Sequence, residues 1–270
     1  MGEWNFMDFA SKENLLRTIR DQADGMMSEV SAPDVWEAPT AAGHWQVRDI
    51  VGHLVDTTEG YFAGFDAASG KGTAPEPLGL RAMNEHVDRG AQAFRGTPQD
   101  ELLTRLDKDR AEMLAIIEGL DEEAWNGFMV PHKYMGPLPS CFYAAGQLVD
   151  YTVHSWDVRQ GSGRGHAMDG DAADLLVPFC MIVWQSTADC TNVEPSTLGV
   201  RVSGRSGGDT RVSLSPDGVA MEPGDIDDLP VVLEFDPASF VLTAMGRVNG
   251  GTVRGDTRAA ERFCNLFFRI

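Results

Sequence analysis

The hydrophobic period changes once along this chain, near Pro195, and that change limits what the chain can fold into. Upstream, apolar residues recur every three or four positions, the spacing of a helix with one buried face. Downstream, Leu198-Gly199-Val200-Arg201-Val202 and Thr210-Arg211-Val212-Ser213-Leu214 alternate as half-buried strands do. The expected fold class is therefore α+β in two domains, a helical one over residues 1–192 and a smaller α+β one over residues 193–270.

Within the helical part, a first helix is expected from about Ser11 to Val30, with Leu15, Leu16, Ile19, Ala23 and Met26 on its buried stripe. A second begins near Trp45 and runs towards Ala68. Its core face is Val47, Ile50, Leu54, Thr58, Tyr61 and Phe65, and His53 lies beside that face. Residues 70–77 read as a loop. A helix is expected from about Gly79 to Phe94, and another after Thr97-Pro98, where Thr97 can cap and proline suits the first helical position. Phe128 to Pro139, with His132, is expected to be irregular, a rim for a pocket. A helix then starts at Pro139-Ser140, with Ser140 as its cap, and ends at the glycine-rich run 161–165. One more helix covers Asp169 to Asp189. In the tail, a strand over Pro230–Phe235, a helix capped by Asp236 and a terminal helix over Thr257–Phe268 complete the expectation.

Charge narrows the class of partner. The net charge of −19 disfavours nucleic acid, because phosphate binding needs clustered Lys and Arg, and equally disfavours an anionic membrane surface. No apolar run reaches the roughly 18 residues of a membrane span, and the first residues lack the basic and apolar segments of a signal peptide. A cytoplasmic protein acting on small molecules is expected, as monomer or homodimer. Cys141, Cys180, Cys190 and Cys264 form no C-x-x-C pair, so reduced and mostly buried thiols are expected. Cys141 has no base near it in sequence to make it a nucleophile.

The stretch with chemistry in it is Gln147–Val158. Asp150 and His154 lie four apart and so share a helix face, one turn from each other. Such a pair can chelate a divalent metal, or it can be a plain surface contact worth a few tenths of a kcal/mol. His53, on its own helix, can be a third ligand or a hydrogen-bonded core histidine. If the helices face each other, one His from one and Asp plus His from the other give three N/O ligands with a position left open, the pattern of a catalytic zinc site.

Two segments carry a family resemblance. Trp45-Gln46-Val47-Arg48-Asp49-Ile50-Val51-Gly52-His53-Leu54 resembles the W-x-V-R-D-x-x-x-H-L segment of the mycothiol-dependent maleylpyruvate isomerase family, within the wider DinB-like metal-binding proteins. Asp150 through Asp157 resembles its E-x-x-x-H-x-W-D motif, with Asp150 where the family has Glu. The tail is similar to the family's sterol-carrier-protein-like domain, with Met245-Gly246-Arg247 and Val253-Arg254-Gly255-Asp256 matching its G-R and G-D motifs. The resemblance implies an up-down four-helix bundle followed by a small sterol-carrier-like domain. It implies a divalent metal, zinc being the ion expected, on His53, Asp150 and His154, and mycothiol as cosubstrate. It also implies thiol-assisted cis–trans isomerisation of a small unsaturated acid. An arginine is then needed to hold the substrate carboxylate, and Arg247 is the candidate by motif position; an ion pair is the competing role for it.

Two other functions stay open on sequence. The same site can serve a mycothiol S-transferase that stops after thiol addition, or a non-enzymatic metal- or ligand-binding protein. Asp157 is expected to be structural, a helix-end or interdomain hydrogen-bond acceptor. Trp45 and Trp156 are expected in the core. His132 is expected at a pocket mouth or in solvent, and His44, His86 and His166 at the surface.

Overall fold

The computed structural model describes residues 2–32, 34–74, 76–164 and 167–268; Pro33, Pro75, Gly165 and His166 fall outside them. The chain divides into two compact units. One comprises residues 6–168, the other residues 3–5 together with 169–268.

The first unit holds helices α1 (Lys12–Val30), α2 (Val47–Ala68), α3 (Met83–Ala93), α4 (Gln99–Gly119) and α5 (Glu122–Gly127), a hairpin of β1 (Met129–His132) and β2 (Gly136–Pro139), and helix α6 (Cys141–Gly161). α1 packs on α6 and α4, and α2 packs on α4, α3 and α6. The α1 stripe is buried as its spacing predicts, from Leu15 to Val30. α6 is buried almost all round from Tyr143 to Val158, which is why its sequence shows so little one-sided periodicity. Each aliphatic side chain fully withdrawn from water here contributes about 1.5–3 kcal/mol.

Local chemistry sets the helix ends. The Asp49 carboxylate accepts from the Gln46 backbone N–H at 2.9 Å and starts α2 with a capping box. Lys12 Nζ donates to the Glu118 and Leu120 carbonyls at 2.7 and 2.6 Å, placing a cation on the free acceptors at the end of α4. Two expected caps are not made. α4 starts at Gln99 with Pro98 before it and no side-chain cap, so Thr97 does not serve. The Ser140 hydroxyl donates instead to the Ala124 carbonyl at 2.7 Å, fastening α5 to the start of α6. Residues 129–139 are a hairpin rather than irregular, with Met129 opposite Pro139 and His132 opposite Gly136. Its prolines hide the strands from a pattern search, yet a two-stranded ribbon has only edges, where proline is tolerated.

The second unit holds α7 (Gly170–Thr187), β3 (Ser196–Val202), β4 (Gly208–Ser215), β5 (Gly218–Pro223), β6 (Val231–Phe235), α8 (Pro237–Ala244), β7 (Thr252–Gly255) and α9 (Thr257–Cys264). The five strands form one sheet in the order β5-β4-β3-β6-β7, with β3 and β6 parallel and every other pair antiparallel. Helix α7 belongs here and not with the helical unit, so the division falls at 168/169, ahead of the expected 192/193. The reason is Trp184, which is buried in α7 and meets the rings of Phe235, Phe240 and Phe263 edge-on at 6.1, 5.0 and 5.4 Å. Strands β5 and β7 are not apparent in sequence. β7 is exposed along its whole length and so carries no alternation to find. Asp236 caps α8 as expected, accepting from Ser239 N–H at 3.0 Å. The last helix ends at Cys264, short of Phe268. Among the described residues no helix is long and apolar enough to cross a membrane.

Candidate metal centre

The structure brings His53, Asp150 and His154 together. One ligand atom from each lies within 4.8 Å of the others. His53 comes from α2, and Asp150 and His154 from successive turns of α6. His53 Nε2 lies 3.5 Å from Asp150 Oδ1. The imidazole rings meet edge-on at 4.9 Å, and both histidines are buried.

Each histidine is oriented from behind. His53 Nδ1 lies 3.3 Å from the Thr57 hydroxyl one turn along α2. His154 Nδ1 lies 2.8 Å from Asp157 Oδ2, and Asp157 is fully buried. A carboxylate behind a histidine places the proton on Nδ1, leaves Nε2 as the lone-pair donor and raises its basicity. Asp157, expected to act as a helix-end or interdomain acceptor, is thus the partner of His154, and its i,i+3 spacing from His154 is the signal that could have found it.

The donor set fits a divalent ion of the zinc type. Two imidazoles and a carboxylate are ordinary zinc ligands at about 2.0–2.2 Å, and one donor from each of the three residues lies within 4.8 Å of the others. Asp150 Oδ2 is buried and makes no hydrogen bond among the described residues. Such an orphaned carboxylate oxygen is costly unless a cation or proton satisfies it. Asp150 is one methylene shorter than the family's Glu, and its approach to His53 shows that the shorter side chain still reaches the cluster.

The surroundings are built by the first motif. Trp45, expected in the core, is only half-buried and forms a wall, its ring 5.2 Å from His53 and 5.9 Å from His154. Its indole N–H donates to Asp88 Oδ1 at 2.8 Å; that bond, more than any other influence, holds the Asp88 carboxyl below the usual carboxylate range. Asp49 is fully buried and takes a two-pronged bond from Arg95, 2.7 and 2.8 Å. Burial pushes its pKa up, but the Arg95 and Gln46 bonds outweigh burial and leave it lowered. Gly52 permits the close approach of α2 to the end of α3, since a Cβ there would lie 2.5 Å from the Ala91 carbonyl oxygen. The motif's Trp, Asp and His are therefore wall, anchor and candidate ligand.

The other expected residues fall out as follows. His132 is buried, not exposed; its Nδ1 accepts the Tyr134 N–H at 3.3 Å. Burial depresses its pKa to about 4, with the Asp150 charge acting weakly the other way. His44 is at the surface and His86 is half-buried. Trp156 is in the core. Cys141 is buried, burial pushes its thiol up to about 12, and Sγ donates to Asn126 Oδ1, so it is no nucleophile. All four cysteines are free. Arg247 lies in the second unit, just past α8, where its guanidinium donates to the Met245 carbonyl at 2.8 Å.

Comparison with known proteins agrees with this geometry. Residues 16–159, just over half of the chain, match the family model described as the mycothiol maleylpyruvate isomerase N-terminal domain. Two crystal structures of the mycothiol-dependent maleylpyruvate isomerase, one of them a histidine-to-alanine mutant, superpose with a TM-score of 0.59 at 15% identity, covering 90% of this chain and 92% of theirs. At that identity the match shows a shared fold, with helices and sheet in the same mixed architecture. A third structure, the colibactin self-resistance protein ClbS in complex with double-stranded DNA, reaches a TM-score of 0.48 over 56% of this chain and 94% of its own, at 16% identity. No curated protein matches the sequence. On the family match, the chain belongs to the mycothiol maleylpyruvate isomerase N-terminal domain family.

Proposed function

We propose that this chain is a metal- and thiol-dependent enzyme that isomerises a small electrophilic unsaturated acid, as maleylpyruvate isomerase does, with mycothiol as the thiol. The observation that carries the reading is the His53/Asp150/His154 cluster, two ligands of which are held from behind while a buried Asp150 oxygen lacks a partner. The proposed ion is zinc, which when bound would supply the positive charge that keeps a thiol deprotonated at neutral pH. The proposed architecture is a DinB-like four-helix bundle of α1, α2, α4 and α6, with a sterol-carrier-like second unit.

The proposed chemistry is balanced and redox-neutral. The thiolate sulfur bonds to one alkene carbon, and the π electrons move to the carbonyl oxygen as an enolate. The former double bond turns as a single bond. The electron pair then returns, the C–S bond breaks, and the thiolate leaves unchanged. The chain's own part is to orient. Asp157 and Thr57 hold the histidines, Trp45 closes one side against water, and Arg247 is the proposed anchor of a substrate carboxylate.

Metal analysis and product analysis test this reading. About one equivalent of zinc is expected in the purified protein, and none in His154→Ala or His53→Ala; a folded, metal-free wild-type chain with thiol reactivity intact in His53→Ala overturns it. With mycothiol and maleylpyruvate, fumarylpyruvate is expected with no lasting adduct. A stable thioether would instead assign the chain as an S-transferase.

A further inference from the structure

Beyond the ligands, α2 and α6 run two rows of residues past each other in opposite directions. His53, Thr57 and Tyr61 succeed one another by single turns on α2, and His154, Asp150 and Gly146 do so on α6. At the metal end His53 meets Asp150 and His154. At the other end the Tyr61 hydroxyl lies over Gly146, 2.6 Å from where a Cβ would stand, so glycine leaves room for the phenol. The Tyr61 ring packs edge-on against Tyr143 at 4.9 Å, and His132 on β1 completes the group, 6.3 Å from Tyr61 and 6.1 Å from Tyr143 between ring centres.

Two polar groups in this cluster are uncommitted. The Tyr143 hydroxyl is not one of them, since it lies 3.0 Å from both the Val130 and the Pro131 carbonyl and donates to them. The Tyr61 hydroxyl makes no hydrogen bond among the described residues, and Tyr61 is half-buried. The Nδ1 atom of His132 accepts a backbone N–H, which places the ring proton on Nε2, and Nε2 has no partner among the described residues. Both are neutral donors, and Tyr61 lies over Gly146, about one helical turn from Asp150 on α6.

We propose that the Tyr61 hydroxyl and His132 Nε2–H form a two-donor subsite for the carbonyl oxygen of the unsaturated acid and for the negative charge that gathers on it after thiol addition. Donors aimed at a site where charge develops are the usual means of stabilising an enolate. Burial pushes the Tyr61 hydroxyl well above its ordinary range, and the Asp150 charge adds to this, so it keeps its proton in the free protein. The Asp150 carboxylate by itself opposes an anion here, and a cation on the cluster offsets it. The inference rests on the proposed reaction for the identity of its ligand.

The test uses zinc-loaded full-length protein and succinylpyruvate, the saturated analogue that keeps the dioxo acid and cannot accept a thiol. Its dissociation constant is read by calorimetry, and its bound enolate by ultraviolet difference absorbance. Tyr61→Phe and His132→Met are each expected to weaken binding about tenfold and to diminish the enolate band, the loss of one hydrogen bond to a charged group. His132→Gln, which retains a donor near Nε2, is expected to recover most of the affinity. Zinc content and thermal midpoint near wild type confirm that each variant is folded. Absence of wild-type binding, or binding unchanged in Tyr61→Phe and in folded His132→Met, overturns the subsite. Tyr61-dependent binding without thiol-dependent turnover of maleylpyruvate overturns the isomerase reading and leaves the subsite standing.

Discussion

At the scale of single residues, each histidine of the centre is held by one other side chain. Asp157 illustrates what this predicts. Its carboxylate fixes the His154 tautomer from a fully buried position, 2.8 Å away. Asp157→Asn keeps the shape and removes the charge, so zinc affinity is expected to fall about 10- to 100-fold, as for other partners of ligating histidines. Competition with a chromophoric chelator measures this; unchanged affinity would show that Asp157 serves packing alone. The three clustered residues are legible in sequence because two share an i,i+4 spacing and the third stands in a recognisable segment. Asp157 is less so, because two acidic residues flank His154 on one helix, at i−4 and i+3, and its i,i+3 signal has to be chosen over the other. Tyr61 reads as core because its row coincides with the α2 apolar stripe, and only the gap left by Gly146 distinguishes it.

At the scale of elements, α2 carries the site and is fastened at its first turn. Asp49 joins the Gln46 N–H to Arg95, which follows α3, so the end of α3, the wall formed by Trp45 and the ligand His53 are held as one piece. Losing the cap in Asp49→Ala is expected to cost about 1–2 kcal/mol from the backbone bond alone. The ion pair also sets an acid limit. The Asp49 pKa is lowered in the folded chain, so its contribution is fully present above the unfolded value of about 3.9 and is lost as pH falls through the lowered folded value. Arg95→Ala removes the largest opposing influence and leaves burial, which raises the pKa. Acid unfolding followed by circular dichroism is therefore expected to shift to higher pH in Arg95→Ala; an unmoved acid midpoint would remove Asp49 from the account. Helix existence is legible throughout, since α1, α2, α4 and α7 each show a periodic stripe. The hairpin and the outer strands are not. Prolines in β1 and β2 suppress the strand signal, and the exposed faces of β7 leave no alternation to detect.

At the scale of the whole molecule, two units have two cores, and the candidate metal cluster found among the described residues lies wholly within residues 6–168. The period change near Pro195 lies well past the 168/169 division, because α7 has the periodicity of the helices before it and the aromatic partners of the strands after it. This division has a thermodynamic consequence. An ion that binds only the folded helical unit stabilises that unit by mass action, by about 2.7 kcal/mol when free ion exceeds its dissociation constant a hundredfold. The second unit, whose core is centred on Trp184, contributes no ligand to the cluster. Calorimetry of the full chain is expected to resolve two transitions. Removal of zinc by a chelator should lower one by several degrees and leave the other in place, and His154→Ala should show the lowered transition with or without zinc. A single transition that moves as a whole on chelation would mean that the units unfold together, with the metal coupled to both cores.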